Sequence, residues 1–175
     1  KTMWEDRFST PDYVFGTRPA AFLEDHAALF APGERALLVA DGEGRNSVWL
    51  AGQGLEVTAL EFAPSAVAKA RRLAEAQGVR LSHAQADVFA WDWPVAAHDH
   101  VVGIFIQFTG PEGRAEMFAH MKAAVKPGGL VVLHGYTPKQ LDYGTGGPRA
   151  GENLYTPELL AGMFEGWEIL ENRPH

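Results

Sequence analysis

A glycine-rich stretch is the first feature of the chain whose residue types and spacing could do chemistry. It consists of Asp41-Gly42-Glu43-Gly44-Arg45-Asn46 and follows the apolar run 35–40. Glycines two positions apart let the backbone turn sharply and approach a ligand closely, and a helix that begins here would offer free amide groups. A complete dinucleotide-binding fingerprint would need a third glycine where this chain has Ser47. The stretch therefore predicts either a ligand-binding loop or a tight turn between a strand and a helix.

Two acidic residues favour the ligand-binding interpretation. Glu61 ends the second apolar run, about 20 positions after Gly42, where a carboxylate can accept hydrogen bonds from ribose hydroxyls. Asp87 ends the third run and is followed by Val88 and Phe89, so it could bind the amine of adenine while apolar side chains cover the ring. An aspartate that caps a turn is an equally good interpretation of Asp87 alone. The pattern predicts a nucleoside site, which NAD enzymes and enzymes with other adenosine cofactors share.

The elements that must position these residues alternate along the chain. The predicted strands are Arg35–Ala40, Leu55–Glu61, Val79–Ala86, Val101–Ile106, Leu130–Leu133 and Trp167–Glu171. The predicted helices begin at Pro19 and Thr156 and span Arg45–Gln53, Pro64–Gln77 and Pro111–Val125. This order predicts an α/β fold with a doubly wound, mostly parallel sheet and helices on both faces. Ligands bind beyond the C-terminal strand ends of such sheets, where the glycine-rich stretch, Glu61 and Asp87 lie.

Two segments lack a regular period. Residues 1–18 are rich in aromatic side chains and are predicted to form an irregular arm. The stretch Tyr136–Tyr155 is long for a connection, which indicates function or disorder. We therefore expect a single domain over residues 1–175, with the arm at 1–18 and a Rossmann-like core at 19–175.

Charge and composition limit the partners. The 175 residues carry a net charge of −7 and include no cysteine. The negative charge argues against nucleic acid and anionic membranes, and the lack of cysteine excludes disulfides, thiolate zinc sites and a cysteine nucleophile. With neither a secretory signal nor a membrane-spanning run recognised, we expect a cytoplasmic protein that is monomeric or weakly homodimeric.

Together these residues resemble the class I S-adenosylmethionine (SAM)-dependent methyltransferases, to which Lys126-Pro127-Gly128-Gly129 before the fifth strand also fits. A narrower resemblance is to the tellurite-resistance (TehB-like) and thiopurine methyltransferase-like branch. Three stretches carry it in order: Tyr13–Pro19, Gly42–Ala51 and Tyr143–Pro148. The resemblance implies transfer of a methyl group from SAM to a small-molecule acceptor, such as a thiol or a chalcogen oxyanion.

The resemblance also implies roles for individual residues. Gly42 and Gly44 would lie against the methionine part of SAM with Arg45 and Asn46 beside them, Glu61 would bind the ribose, and Asp87, Val88, Phe89 and Phe62 would surround the adenine. Leu38 and Ala40 stand where the family has an acid and its first glycine, and Asp41 could supply a displaced carboxylate for the cofactor's ammonium. The family's sheet usually closes with a seventh, antiparallel strand, and we expect this sheet to lack it.

No catalytic residue is assigned, because methyl transfer depends chiefly on alignment and exclusion of water. The arm residues Trp4, Phe8 and Tyr13 could form a lid over the sulfonium. His134 and Tyr136 could orient the acceptor or act as a base, although a structural role suits His134 equally. A SAM-binding module without activity and a nicotinamide-dependent oxidoreductase remain as alternatives.

Two groups of residues are predicted to be merely solvated. His98 and His100 have a spacing compatible with a metal, but no third ligand is recognised, so we expect a solvated turn and no metal site. Lys69, Arg71 and Arg72 are expected on the solvated face of their helix.

Overall fold

A sheet of five parallel strands forms the centre of the chain in the computed structural model, which describes residues 2–144 and 146–174. The strands are β1 (Arg35–Val39), β2 (Glu56–Glu61), β3 (Ser82–Gln85), β4 (His98–Ile104) and β5 (Val125–His134). Their order in the sheet is β3-β2-β1-β4-β5, with every neighbouring pair parallel. The prediction of a doubly wound parallel sheet is confirmed.

Seven helices lie in the described ranges. They are α1 (Thr2–Phe8), α2 (Ala21–Asp25), α3 (Arg45–Gly52), α4 (Pro64–Gln77), α5 (Pro111–Ala124), α6 (Lys139–Tyr143) and α7 (Pro157–Met163). Short 3₁₀ turns occupy Ala27–Leu29 and Gly151–Asn153. The predicted bounds of α4 are confirmed, because Pro64 suits a first helical turn and Gly78 takes the left-handed C-cap conformation.

The core lies on both faces of the sheet. In β1, Leu37 and Val39 pack with α5 residues such as Phe118, whereas Ala36 and Leu38 pack on the opposite face with residues such as Leu50. A strand covered on both faces needs a continuous apolar run, which explains why β1 does not alternate in polarity.

Two predictions about local structure are wrong. Part of the arm is helical, since α1 begins at Thr2. Residues 167–171 form no strand, and the side chains of Ile169 and Leu170 are exposed. In the described part of the chain, β5 has no strand partner on its outer edge. An apolar run alone does not make a strand, because the strand also needs a partner for its backbone hydrogen bonds.

The expected solvated turn at His98 and His100 is also wrong. Both side chains are buried in the first half of β4. His100 Nε2 contacts the Glu34 carboxylate, and its ring lies edge-on to Phe30. The described residues contain no group of three or more side chains placed to hold a metal ion. None of the described helices combines the length and the apolarity needed to cross a membrane.

Candidate functional site

Parallel pairing of β1 and β2 brings the glycine-rich loop to Glu61. Val39 is opposite Leu60, so the two strands end at the same edge of the sheet. The Gly42 amide donates a hydrogen bond to Glu61 Oε2 at 2.8 Å, and the Ala63 amide donates to Oε1 at 2.9 Å. Burial raises the pKa of Glu61, while these backbone hydrogen bonds act in the opposite direction. The carboxylate is therefore held in place by backbone amides at the edge of the sheet.

The second glycine of the loop is required by packing. Gly44 has a φ of 91°, and a Cβ at this position would lie 2.7 Å from Cβ of Ala70. A side chain here would separate α3 from α4. The interpretation of this glycine as part of a tight turn between a strand and a helix is thus confirmed.

Asp41 and Ser47, which both depart from known patterns, contact each other. The Ser47 hydroxyl donates to Asp41 Oδ2 at 2.5 Å, and the Ser47 amide lies 3.3 Å from Oδ1. Burial raises the pKa of Asp41 to about 7, and the nearby charge of Glu61 adds to that rise. The carboxylate predicted for the cofactor's ammonium therefore binds the first turn of α3.

The loop after β3 lies beside Glu61, because Gln85 of β3 is paired with Glu61 of β2. Asp87 Oδ1 accepts a hydrogen bond from the Phe89 amide at 3.0 Å, which is the geometry of an aspartate that caps a turn. Val88 is buried in the core, and the ring of Phe89 reaches the start of α5. Asp87 thus lies near the strand ends as predicted, whereas the side chain of Val88 packs inward.

The aromatic residues of the arm divide into two groups. Trp4 and Phe8 stack at 5.5 Å between ring centroids and pack with Phe62 beside α4. The Phe8 ring comes within 3.7 Å of the position that a Cβ on Gly42 would occupy, so α1 covers the loop. Tyr13 lies apart from them, with its hydroxyl donating to the Lys69 carbonyl at 3.1 Å.

The prediction that Lys69 is solvated is wrong, although Arg71 and Arg72 are exposed as expected. Lys69 Nζ lies 2.6 Å from Glu43 Oε2, and both side chains are only 3% exposed. Sequence reasoning missed this pair because a charged residue on a helix counts as solvated until another element supplies its partner.

The far side of the loop faces the end of β5. The His134 ring stacks on Phe22 at 4.5 Å, and the Tyr136 ring stacks on Phe105 at 4.7 Å. Buried Gln107, which sequence reasoning missed, accepts a hydrogen bond from the Tyr136 amide and donates one to its carbonyl. These rings line one end of a groove of about 920 Å³ along β5.

Arg45 lies between the arm and the β5 end. Its guanidinium is 6.0 Å from the centroid of the Phe15 ring. Burial lowers the pKa of Arg45, while Tyr136 and Asp41 act in the opposite direction. A half-buried cation therefore stands beside the loop.

Residues 36–129 match the family described as a methyltransferase domain, and the chain belongs to that family. The match includes the loop, Glu61, Asp87 and the stretch Lys126–Gly129 at the start of β5. The resemblance to class I SAM-dependent methyltransferases is thus confirmed.

A demethylmenaquinone methyltransferase of Thermus thermophilus is 32% identical over 113 residues, which are 63% of this chain and 51% of that protein. The chain thus spans about half the length of this curated relative. TehB of Haemophilus influenzae superposes with a TM-score of 0.73 at 22% identity, over 96% of this chain and 57% of TehB. A protein studied for conversion of a disulfide bond into a thioacetal group in echinomycin biosynthesis superposes with a TM-score of 0.72 at 22% identity. The superposition covers 97% of this chain and 78% of that protein. These two likenesses show a shared fold.

Proposed function

We propose that this chain binds SAM and transfers its methyl group to a small-molecule acceptor, with a soft nucleophile such as a thiol or a chalcogen oxyanion as the preferred class. The observation that carries the proposal is the Glu61 carboxylate, held beside Gly42 at the carboxyl edge of the sheet in a methyltransferase-family domain. A carboxylate held at this edge of the sheet suits the two hydroxyls of a ribose.

The described residues fit the cofactor. Gly42 presents backbone without a side chain beside Glu61, and we assign it, together with Gly44, to the methionine part. Asp87 and Phe89 follow the neighbouring strand, and we assign them with Phe62 and Val88 to the adenine. SAM supplies an electrophilic methyl group on a sulfonium, and the chain binds, aligns and shields it.

Acceptor binding is assigned to the space between the arm and the β5 end. Phe8 and Trp4 would exclude water there, and a nearby aromatic face attracts a sulfonium by about 0.5–2 kcal/mol. Arg45 supports an anionic acceptor, because a half-buried cation attracts an anion more strongly than an exposed one. His134 and Tyr136 remain proposals for orienting the acceptor.

The proposal also includes the setting in which the chain acts. We infer a cytoplasmic protein, monomeric or weakly homodimeric, whose partner is a small molecule rather than nucleic acid or a membrane. The net charge of −7 supports the choice of partner, since phosphate backbones would be repelled.

Calorimetric titration with SAM, S-adenosylhomocysteine and NAD tests the cofactor. We expect both sulfur ligands to bind, and Glu61→Ala to weaken SAM binding at least about tenfold, because hydrogen bonds to a charged group contribute about 1.5–3 kcal/mol. Glu56→Ala is the matched control, since Glu56 is an exposed acid at the other end of β2. Binding of NAD alone would end the methyltransferase proposal.

A SAM-binding module without activity is the second candidate. It is favoured by Asp41, whose carboxylate binds Ser47 and not an open ligand site. A panel of sulfur, selenium, tellurium, nitrogen and oxygen acceptors separates the two. Turnover with one of them supports the enzyme, and SAM binding without turnover on any supports the module.

A further inference from the structure

Glu43, between the two glycines of the loop, is fully engaged by protein partners. One carboxylate oxygen lies 2.6 Å from Lys69 Nζ, and the other accepts a hydrogen bond from the Val14 amide at 2.7 Å. Lys69 Nζ also donates to the Asp12 carbonyl at 2.6 Å. Because Glu43 is neutralised by the buried Lys69 cation and bonded to the arm, its role concerns the arm.

The same loop holds the arm at a second point. Asn46, predicted beside the cofactor, accepts a hydrogen bond from the Ala20 amide at 2.8 Å through its buried side chain. Between these two anchors, the Phe15 ring lies near the guanidinium groups of Arg7 and Arg45. Three charged or polar side chains of one short motif thus face the N-terminal segment.

The arm in turn covers the loop. Phe8 at the end of α1 is 4% exposed, and its ring lies over Gly42. The Ser65 amide donates to Glu5 at 3.1 Å, which ties α1 to the start of α4. A ligand bound beside Gly42 on this side would therefore be covered by α1.

We propose that Glu43 is a positioning residue that couples closure of the N-terminal arm and the two residues after it, residues 2–20 of the described chain, to the conformation of the glycine loop, so that the closed arm retains bound cofactor. The inference rests on the proposed function. Glu43 shares its backbone with Gly42 and Gly44, so release of Val14 and Lys69 frees the loop, and a ligand that orders the loop holds Glu43 toward the arm. The buried ion pair makes partial opening unfavourable, because an unpaired buried charge is costly.

The test uses the full chain and S-adenosylhomocysteine. Its dissociation rate is measured by stopped-flow tryptophan fluorescence, and arm opening by the rate of trypsin cleavage after Arg7, identified by mass. In the wild type we expect the ligand to slow this cleavage at least tenfold. In Glu43→Gln we expect dissociation to be at least about tenfold faster and the protection after Arg7 to be lost, since a charged hydrogen bond is removed.

Two further variants complete the experiment. Glu75→Gln replaces an exposed acid on α4, the helix that carries Lys69, and should behave as the wild type. Tyr13→Phe removes only the hydroxyl that binds the Lys69 carbonyl and should accelerate dissociation to a smaller extent. If Glu43→Gln does not fold, Tyr13→Phe tests the coupling between the arm and the loop in its place.

The outcomes distinguish the two proposals. A folded Glu43→Gln variant with the wild-type dissociation rate and full protection would overturn the coupling alone, as would an unaccelerated Tyr13→Phe if Glu43→Gln is unfolded. A wild type that binds neither SAM nor S-adenosylhomocysteine would overturn the proposed function and the coupling with it.

Discussion

At the scale of single residues, the departures of this loop from the family pattern form one connected change. Ala40 occupies the place of the family's first glycine and has a φ of 50°, a left-handed conformation that alanine rarely adopts. Asp41, at the next position, binds Ser47, which stands where a dinucleotide-binding fingerprint would have its third glycine. The loop thus combines a strained alanine, Ala40, with a buried carboxylate, Asp41.

We expect Ala40→Gly to stabilise the protein. A left-handed alanine costs about 1–2 kcal/mol, and glycine's greater freedom in the unfolded chain offsets about 0.4–1 kcal/mol of that relief. The free energy of unfolding from urea titration should rise by up to about 1.5 kcal/mol. Ala36→Gly, at a buried position in β1, should instead lower it by about 0.5–1 kcal/mol. Loss of stability in both variants would contradict strain at Ala40.

The titration of Asp41 predicts how stability depends on pH. Because its pKa is raised to about 7, the folded state keeps a proton that the unfolded chain releases near pH 3.8. The proton on Asp41 therefore stabilises the folded state fully below about pH 3.8, and this stabilisation is lost as the pH rises through about 7. Asp41→Asn stays neutral, so its free energy of unfolding relative to the wild type should rise between pH 5 and pH 7 and then level off. A difference that stays constant from pH 5 to pH 8 would contradict this.

At the scale of elements, the close approach of α3 and α4 determines the shape of the loop. The contact depends on Gly44, whose missing side chain admits Ala70. It also brings Lys69 of α4 within reach of Glu43. One glycine therefore serves both the turn and the ion pair.

Gly44→Ala should be markedly destabilising. A new Cβ would lie 2.7 Å from Ala70 Cβ, in addition to the strain of a φ of 91°. Overpacking costs about 1–3 kcal/mol, and the left-handed conformation about 1–2 kcal/mol. Gly78→Ala is the matched control, because its φ is also positive but the space around it is open. Thermal unfolding should show a clearly larger loss for Gly44→Ala, and equal losses would exclude the packing role.

At the scale of the whole molecule, the strand order β3-β2-β1-β4-β5 reverses its direction between β1 and β4. Ligands bind at such a reversal, beyond the carboxyl ends of the strands. The loop after β1, Glu61 of β2 and the end of β5 all lie at this edge, under an arm that comes from outside the sheet. The overall topology thus supports one site, assembled from segments far apart in the chain.

Ligand binding should therefore stabilise the molecule as a whole. At a free S-adenosylhomocysteine concentration of 100 times Kd, linkage predicts about 2.7 kcal/mol. For a chain of this length that corresponds to a rise in Tm of about 5–10 °C. Scanning calorimetry with NAD at the same concentration is the control, and an equal rise with both ligands would contradict a site specific for the sulfur cofactor.

Local signals in the sequence were sufficient for the elements that carry the site. The apolar runs of β1 and β2, Pro64 and Gly78 at the ends of α4, and the glycine pair act within a few residues of themselves, so their consequences can be predicted without the fold. Glu61 follows from its place at a strand end. These features determined the fold class and the family.

Only the tertiary structure decided which polar groups are buried and what they bind. Lys69 and Glu43 are 26 positions apart, and Tyr13 reaches Lys69 from 56 positions away. The burial of His98 and His100, the helix α1 and the lack of a strand at 167–171 likewise depend on partners from other elements. Burying a charge or pairing a strand is favourable only when a distant segment supplies the matching group, and that match is a property of the folded chain.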